Sequence, residues 1–249
     1  MNDLIDHLNV KVIPQIVVLI PCYNEEHTIA KVVQDFEKSV PNAKIYVYDN
    51  NSSDRTAIIA REAGAIVRSE NLQGKGHVIR RMFSDIDADV YIMVDGDDTY
   101  DASAAPALID LLINDSLDMV NGKRIEQVKE AYRPGHRFGN WMLTTMVTSI
   151  FGERTEDMLS GYRAFSRRFV KSFPALSAGF EIETELTVHA LELEMPIADV
   201  DTHYKDRPDG SESKLSTFKD GLRILKMIAV LIQRERPLKF FGIVGLILG

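Results

Sequence analysis

Tyr91-Ile92-Met93-Val94-Asp95-Gly96-Asp97-Asp98 is the stretch whose reading decides the fold. Four apolar residues run straight into carboxylates, which predicts a buried strand ending at a polar edge. In an open α/β sheet, ligands bind beyond the carboxyl ends of strands. Asp95, Asp97 and Asp98 would then stand at the mouth of a site. Carboxylates this close repel one another unless a cation lies between them. Hard oxygen ligands at this spacing suit Mg²⁺ or Mn²⁺ carrying a substrate phosphate. A solvated acidic turn has the same composition, so the neighbouring stretches must decide.

Upstream, Gln15 to Ile20 is a nearly continuous apolar run and predicts a central strand. Pro21 stops it, and Asn24 is placed to cap a helix running to about Lys38, with Glu25 and Glu26 in its first turn. Ala43 to Tyr48 predicts the next strand, ending in the polar loop Asp49 to Asp54; Asp54 then caps a helix Arg55 to Ala63 that Gly64 ends. Ala65 to Arg68 is a short strand, and Gly74-Lys75-Gly76 opens a helix to about Phe83. Strand, loop and helix thus alternate up to the strand at Val90, which implies βαβ units and a mostly parallel sheet. Parallel strands place their carboxyl ends together, so Glu25, Asp49, Asp95 and Asp97 converge.

Downstream, a helix Ala104 to Asn114 and a short strand Asp118 to Asn121 precede a basic, irregular segment. It carries Lys123, Arg124, Lys129, Arg133, His136 and Arg137, with a loop at Pro134-Gly135, and reads as a solvated face or an anion site. Phe138 to Phe151 predicts an apolar helix holding Trp141. Glu181, Glu183 and Glu185 open a helix through Leu193, where acidic residues suit the helix dipole. Ile197 to Tyr204 is a late strand, followed by a polar loop with Arg207 and Lys214 able to close on phosphates. Thr217 to Arg234 predicts one helix with a narrow basic stripe and a broad apolar face, fitting a membrane interface or a docked core helix. Leu238 to Gly249 is apolar but short of the about 20 residues that span a bilayer, and reads as an interfacial tail or the start of a longer membrane segment.

The totals suit one large α/β domain or two small ones. The chain has 249 residues and a net charge of -8, which argues against a general nucleic-acid binder. Its single cysteine, Cys22, excludes an internal disulfide framework and reads as a packing residue. The polar N-terminus shows no signal-peptide pattern.

IPCYNEE, YDNNSSDRT, GKG, VDGDD, DMLSGYRAF and DRPDGSESKL appear in that order. In this order and spacing, from about Ile16 to Lys239, the chain resembles family 2 glycosyltransferases with a GT-A fold. Within that family it is similar to polyprenyl-phosphate sugar synthases such as dolichol-phosphate mannose synthase. The resemblance implies a catalytic domain over 1–215 and an amphipathic interfacial helix, with the start of a possible membrane segment, over 216–249. It places Pro21, Tyr23 and Glu25 on the nucleoside, Val47 and Asp49 on the base and ribose, and Lys75 near the donor. It assigns Asp95, Gly96 and Asp97 to the metal-binding Asp-x-Asp, Arg124 and Arg137 to the acceptor phosphate, and Arg207 and Lys214 to the closing loop. Thr99 stands where mannose synthases often carry Gln, and Asp49-Asn50-Asn51 leaves uracil and guanine both open.

The implied reaction is transfer of a hexose from UDP- or GDP-hexose to a polyprenyl phosphate, undecaprenyl or dolichyl. It would be inverting, dependent on Mg²⁺ or Mn²⁺, and placed at the cytoplasmic face of a membrane. Asp97, Arg124 and Arg137 would carry it. Transfer to a saccharide hydroxyl is the alternative, and would need a carboxylate base such as Asp157 or one of the glutamates at 181–185. A nucleotidyltransferase and a non-catalytic sugar-nucleotide-binding scaffold are further alternatives.

Overall fold

The computed structural model describes residues 13–126, 156–208 and 237–248, together with positions 210, 226, 229, 230 and 233. Among these, the first half alternates as the sequence requires: β1 (Ile16–Cys22), α1 (Ile29–Ser39), β2 (Lys44–Asp49), α2 (Thr56–Glu62), β3 (Ile66–Ser69), α3 (Lys75–Asp85) and β4 (Val90–Met93). A 3-10 turn (Ala102–Ala104) leads into α4 (Ala105–Asn114), then β5 (Met119–Glu126). After residue 155 come β6 (Arg163–Ser166), α5 (Arg167–Ser172), α6 (Ile182–Glu192), β7 (Ile197–Tyr204) and α7 (Pro237–Leu248).

The strands form one seven-stranded sheet in the order β3-β2-β1-β4-β6-β5-β7. β6 runs antiparallel to both its neighbours, and the other pairs are parallel. β1 and β4 lie in the middle and are buried on both faces, which is why each reads as an unbroken apolar run. Alternate residues serve opposite layers. Val18, Ile20 and Ile92 pack with Ile29, Val33, Phe36, Leu108 and Leu112 on the α1 and α4 side. Val17, Leu19, Tyr91 and Met93 pack with Ile79, Met82, Phe83, Phe165, Phe169 and Leu186 on the α3, α5 and α6 side.

Several expectations change in detail. Asn24 does not cap α1, which begins at Ile29. Its φ is 52°, and its side chain accepts from Ser53 N at 2.8 Å. Glu25 and Glu26 therefore lie in the turn before the helix. Asp54 does hold the start of α2, accepting from Thr56 N at 2.9 Å. Gly64 ends that helix at φ 100°, a conformation that favours glycine. β5 continues to Glu126, so Lys123 and Arg124 sit in a strand paired with β7 and not in an irregular segment. β6 and α5 were not expected at all. The expected helix Phe138 to Phe151, the loop at Pro134-Gly135 and most of the helix Thr217 to Arg234 lie outside the described residues. No described helix is long and apolar enough to cross a membrane.

Candidate active site

The candidate residues gather at the carboxyl ends of β1, β2 and β4. Pro21 and Cys22, the last residues of β1, lead into a turn laced to the loop after β2. Asn24 N donates to Ser52 Oγ (2.9 Å), Glu25 N to Thr56 Oγ1 (2.8 Å) and Glu26 N to Asp54 Oδ2 (3.1 Å). Thr28 Oγ1 donates to the carbonyl of Gly96 at 2.7 Å and ties this turn to the end of β4. Gly96 is obligatory, because a Cβ there would stand 2.5 Å from Cys22 Sγ. Cys22 is buried, and burial with the nearby carboxylates pushes its thiol well above the ordinary range, which suits a packing residue.

Asp49 ends β2 in register with Cys22 and is 8% exposed. One oxygen accepts weakly from Ser52 N at 3.4 Å; the other, Oδ1, is buried with no hydrogen-bond partner among the described residues. A buried carboxylate oxygen without a partner is costly and suits a ligand donor. Val47, expected near the base, has no exposure, and its side chain belongs to the core on the α1 side of the sheet. Tyr23 is half-buried and Pro21 buried at the end of β1. Asn50, not singled out from sequence, holds the 70–74 segment by donating to Glu70 O and Leu72 O and accepting from Gly74 N.

Each carboxylate of Asp95-Gly96-Asp97 already faces a cationic side chain. Lys75 Nζ donates to Asp95 Oδ1 at 2.5 Å and to Glu183 Oε1 at 2.6 Å. Burial alone would lower the Lys75 pKa, but the two carboxylates outweigh it and hold the ammonium charged. Asp97 is 4% exposed, and its Oδ2 lies 2.5 Å from Arg207 Nη2, whose Nη1 stands 4.0 Å from Glu25 Oε1. Burial and the charge of Asp95 raise the Asp97 pKa against the opposing pull of Arg207. Thr99 donates its hydroxyl to Asp97 Oδ1 at 2.6 Å, so it fixes Asp97. Asp98 is turned to the other side, at φ 58°, and binds Lys31 (3.0 Å) and Lys205 (2.8 Å).

The glutamates of α6 are not merely complements to a helix dipole. Glu183 grips Lys75, while Glu185 accepts from Leu176 N (2.7 Å) and Ser177 N (2.8 Å). The 177–178 backbone in turn lies against Gly74 and Gly76, where an added Cβ would approach Ala178 O to 2.2 Å and Ser177 O to 2.1 Å. The Gly-Lys-Gly glycines thus permit backbone to pack on backbone, and Lys75 between them points its charge at Asp95.

On the far side of β4, Arg124 makes a two-pronged contact with Asp157 (2.7 and 2.8 Å), and its guanidinium lies 5.4 Å over the Tyr204 ring. Lys123, on the opposite face of β5, binds Glu156 and Asp201. Between the two halves, Gly161 presses on Asp95, since a Cβ there would be 2.4 Å from Asp95 Oδ2. Arg137 and Lys214, expected on the acceptor phosphate and the closing loop, lie outside the described residues. Thr28, Glu183 and Gly161 contact this cluster from remote parts of the chain and Thr99 contacts it locally; from sequence Glu183 entered only among the glutamates that could act as a base, and Thr99 only as standing in the place of a Gln.

Among the described residues, no group of three or more His, Cys, Asp or Glu side chains is arranged to hold a metal ion. That is compatible with Mg²⁺ or Mn²⁺, which is commonly bound by one or two carboxylates together with substrate phosphates. The cationic groups of Lys75 and Arg207 on Asp95 and Asp97 show that both carboxylates draw positive charge.

Glycosyl transferase family 2 matches residues 17–173. Protein RfbJ of Shigella flexneri is 61% identical over 123 residues, covering 49% of this chain and 95% of that protein. The dolichyl-phosphate hexose transferase of Haloferax volcanii is 31% identical over 219 residues, covering 88% of this chain and 94% of that protein. Glucosyl-3-phosphoglycerate synthase from Mycobacterium tuberculosis, solved with Mn²⁺, UDP and glucosyl-3-phosphoglycerate, shares the fold at a TM-score of 0.67 and 23% identity, over 89% of this chain and 80% of that one. The α/β sheet with its flanking helices is that of GT-A glycosyltransferases, and the chain belongs to glycosyl transferase family 2.

Proposed function

We propose that this glycosyltransferase moves a hexose from UDP- or GDP-hexose to a polyprenyl phosphate, with inversion, at the cytoplasmic face of a membrane. The observation that carries the donor half is the arrangement of Asp49 at the end of β2 and Asp95 and Asp97 after β4, the two strands that flank β1, with one buried oxygen of Asp49 lacking a partner among the described residues. Asp49 Oδ1 would accept from the nucleoside. Asp97, with Asp95 beside it, would hold the divalent cation, which when bound offsets charge building on the departing nucleoside diphosphate. Arg207 leaves Asp97 for the donor phosphates as the donor enters, a charge-assisted exchange of one anion for another. Residues 1–215 would form the catalytic domain, with 216–249 lying at the membrane interface.

The acceptor half is supported by the likeness to the dolichyl-phosphate hexose transferase and by Arg124. A phosphate monoester is largely ionised near neutral pH, its second pKa being about 6. It needs positioning and no base. Arg124 arrives pre-oriented by Asp157 and the Tyr204 ring, and orients the lipid phosphate in line with the sugar. A saccharide hydroxyl would need a base, yet Asp157 holds Arg124, Glu183 holds Lys75, and Glu185 accepts from two backbone N–H groups. Glu181 favours that second reading, because its Oε2 is buried without a partner among the described residues.

Labelled UDP- and GDP-hexoses with Mn²⁺, offered undecaprenyl or dolichyl phosphate, an oligosaccharide or phosphoglycerate, test the proposal. Label in the lipid phosphate, abolished by Asp97→Asn, is expected. Label in the saccharide, lost in Glu181→Gln, would transfer the assignment to the second reading.

A further inference from the structure

We infer that Glu183 is a positioning residue, which acts through Lys75 to set how strongly Asp95 and its neighbour attract the divalent cation. The inference rests on the metal assignment above. Lys75 Nζ sits between Asp95 Oδ1 (2.5 Å) and Glu183 Oε1 (2.6 Å), with the lysine side chain 9% exposed and that of Glu183 7% exposed. Lys75 and Glu183 are thus buried together, while Asp95 is 26% exposed on the site side. The lysine cannot leave without stranding two carboxylates, and Glu183 cannot be neutralised without giving the whole lysine charge to Asp95.

The surroundings hold Lys75 and Glu183 in place. Lys75 starts α3 between two glycines pressed on the 177–178 backbone. Next to it, the N–H groups of Leu176 and Ser177 are held by Glu185, two residues along α6 from Glu183. Lys75 also lies 5.9 Å from the Phe180 ring. Arg207 differs: it reaches Asp97 from beyond the end of β7 and is 29% exposed, so it can exchange. The structure therefore separates the two carboxylates. Asp97 is the one whose cation leaves, and Asp95 is the one whose charge is tuned from behind.

In this arrangement one cation faces two carboxylates. Glu183→Gln removes a negative charge and should weaken Mn²⁺ binding about tenfold, the effect of a unit charge at short range under partial screening. Lys75→Met removes the positive charge and should tighten it by a similar factor. The double variant has the original net charge and should return toward wild type. A lysine that only binds donor phosphate would leave Mn²⁺ binding without nucleotide unmoved. A purely structural role would weaken every variant.

The measurement is Mn²⁺ binding to the full chain, read as free Mn²⁺ by electron paramagnetic resonance, first without nucleotide and then with UDP, each variant checked for folding by its melting transition. Opposite shifts in the two single variants, cancelling in the double, support the inference. Shifts of the same sign, or a folded Glu183→Gln that binds like wild type, overturn it. If Lys75→Met does not fold, weaker binding by Glu183→Gln together with recovery in the double variant decides in favour, and no recovery decides against. Wild-type Mn²⁺ binding that Asp97→Asn fails to weaken would instead sink the metal assignment itself.

Discussion

Gly161→Ala should separate activity from stability. Gly161 stands in the segment before β6, and its N–H donates to the Tyr100 hydroxyl at 2.8 Å. Its φ does not lie in the left-handed region, so alanine brings no backbone penalty. The added Cβ, however, would stand 2.4 Å from Asp95 Oδ2 and 2.9 Å from its Cγ. Ordinary C–H···O contact is about 3.4 Å, so the carboxylate must retreat by about 1 Å. It cannot do so and keep its 2.5 Å contact with Lys75. A 1 Å misplacement in a reacting array can cost about 100-fold in rate, and that is the fall in kcat we expect at saturating donor and metal. Stability should fall by only about 1–2 kcal/mol, the lower part of the usual overpacking range, because Asp95 is partly exposed and can move. At this chain length that is a drop of very roughly 5 °C in Tm. Gly64→Ala is the control. Its φ of 100° strains an alanine, but a Cβ there meets nothing within 4 Å, so it should lower Tm and leave kcat alone. A folded Gly161→Ala enzyme with wild-type kcat would refute the claim that the position of Asp95 matters to transfer.

Gly76→Ala drives a Cβ to 2.1 Å from Ser177 O and 2.7 Å from Ser177 C, backbone that has little freedom to yield, so it should cost about 3 kcal/mol or more and lose activity in proportion to unfolding, as read by urea midpoint and residual kcat together. Arg163→Met should cost about 3–5 kcal/mol in chemical denaturation, because it strips buried acceptors at Ser160 O, Met158 O and Thr187 Oγ1 of their donor. His189 packs on Phe169 and Phe173 with Nε2 at 2.9 Å from Ser172 Oγ, and burial holds its pKa below 6.5 against a small opposing effect of Glu185. As pH falls through about 6.5 the unfolded chain takes up this proton before the folded one, so stability should drop there. In His189→Gln or His189→Asn that part of the slope should vanish, and its persistence would rule His189 out.

Some of this was legible in the sequence because it is local. β1 and β4 are apolar runs, and central strands of a parallel sheet have that pattern whatever surrounds them, although Pro21 does not stop β1, which pairs with β2 through Pro21 and Cys22. Their shared direction then brings Glu25, Asp49 and Asp97 together without any knowledge of side-chain contacts. Other features depend on partners far along the chain. β6 is four residues long and starts with Arg163, a residue type seldom buried; only the carbonyls of Met158 and Ser160 and the hydroxyl of Thr187 make it a core position. Glu183 looks like a helix-dipole complement until Lys75, 108 residues away, is seen in its grip. Gly74 and Gly76 read in the sequence only as the opening of a helix, and the structure gives them a packing reason from a backbone about 100 residues on.

The strand that escaped notice also explains how two substrates meet. If β6 ran parallel to its neighbours, the residues before it would emerge at the opposite edge of the sheet from Asp95. Because it runs antiparallel, Met93 pairs with Arg163, and the preceding segment 157–161 lies at the same edge as the carboxyl ends of β4 and β5. From there Gly161 abuts Asp95 while Asp157 clamps Arg124. Five residues thus join the carboxylates proposed for the donor to the arginine proposed for the acceptor, and the buried Arg163 anchors them from behind. An unbroken parallel sheet would supply a nucleotide crevice alone. Reversing one strand places a second set of side chains across from it, at a separation fixed by the sheet and not by a loop.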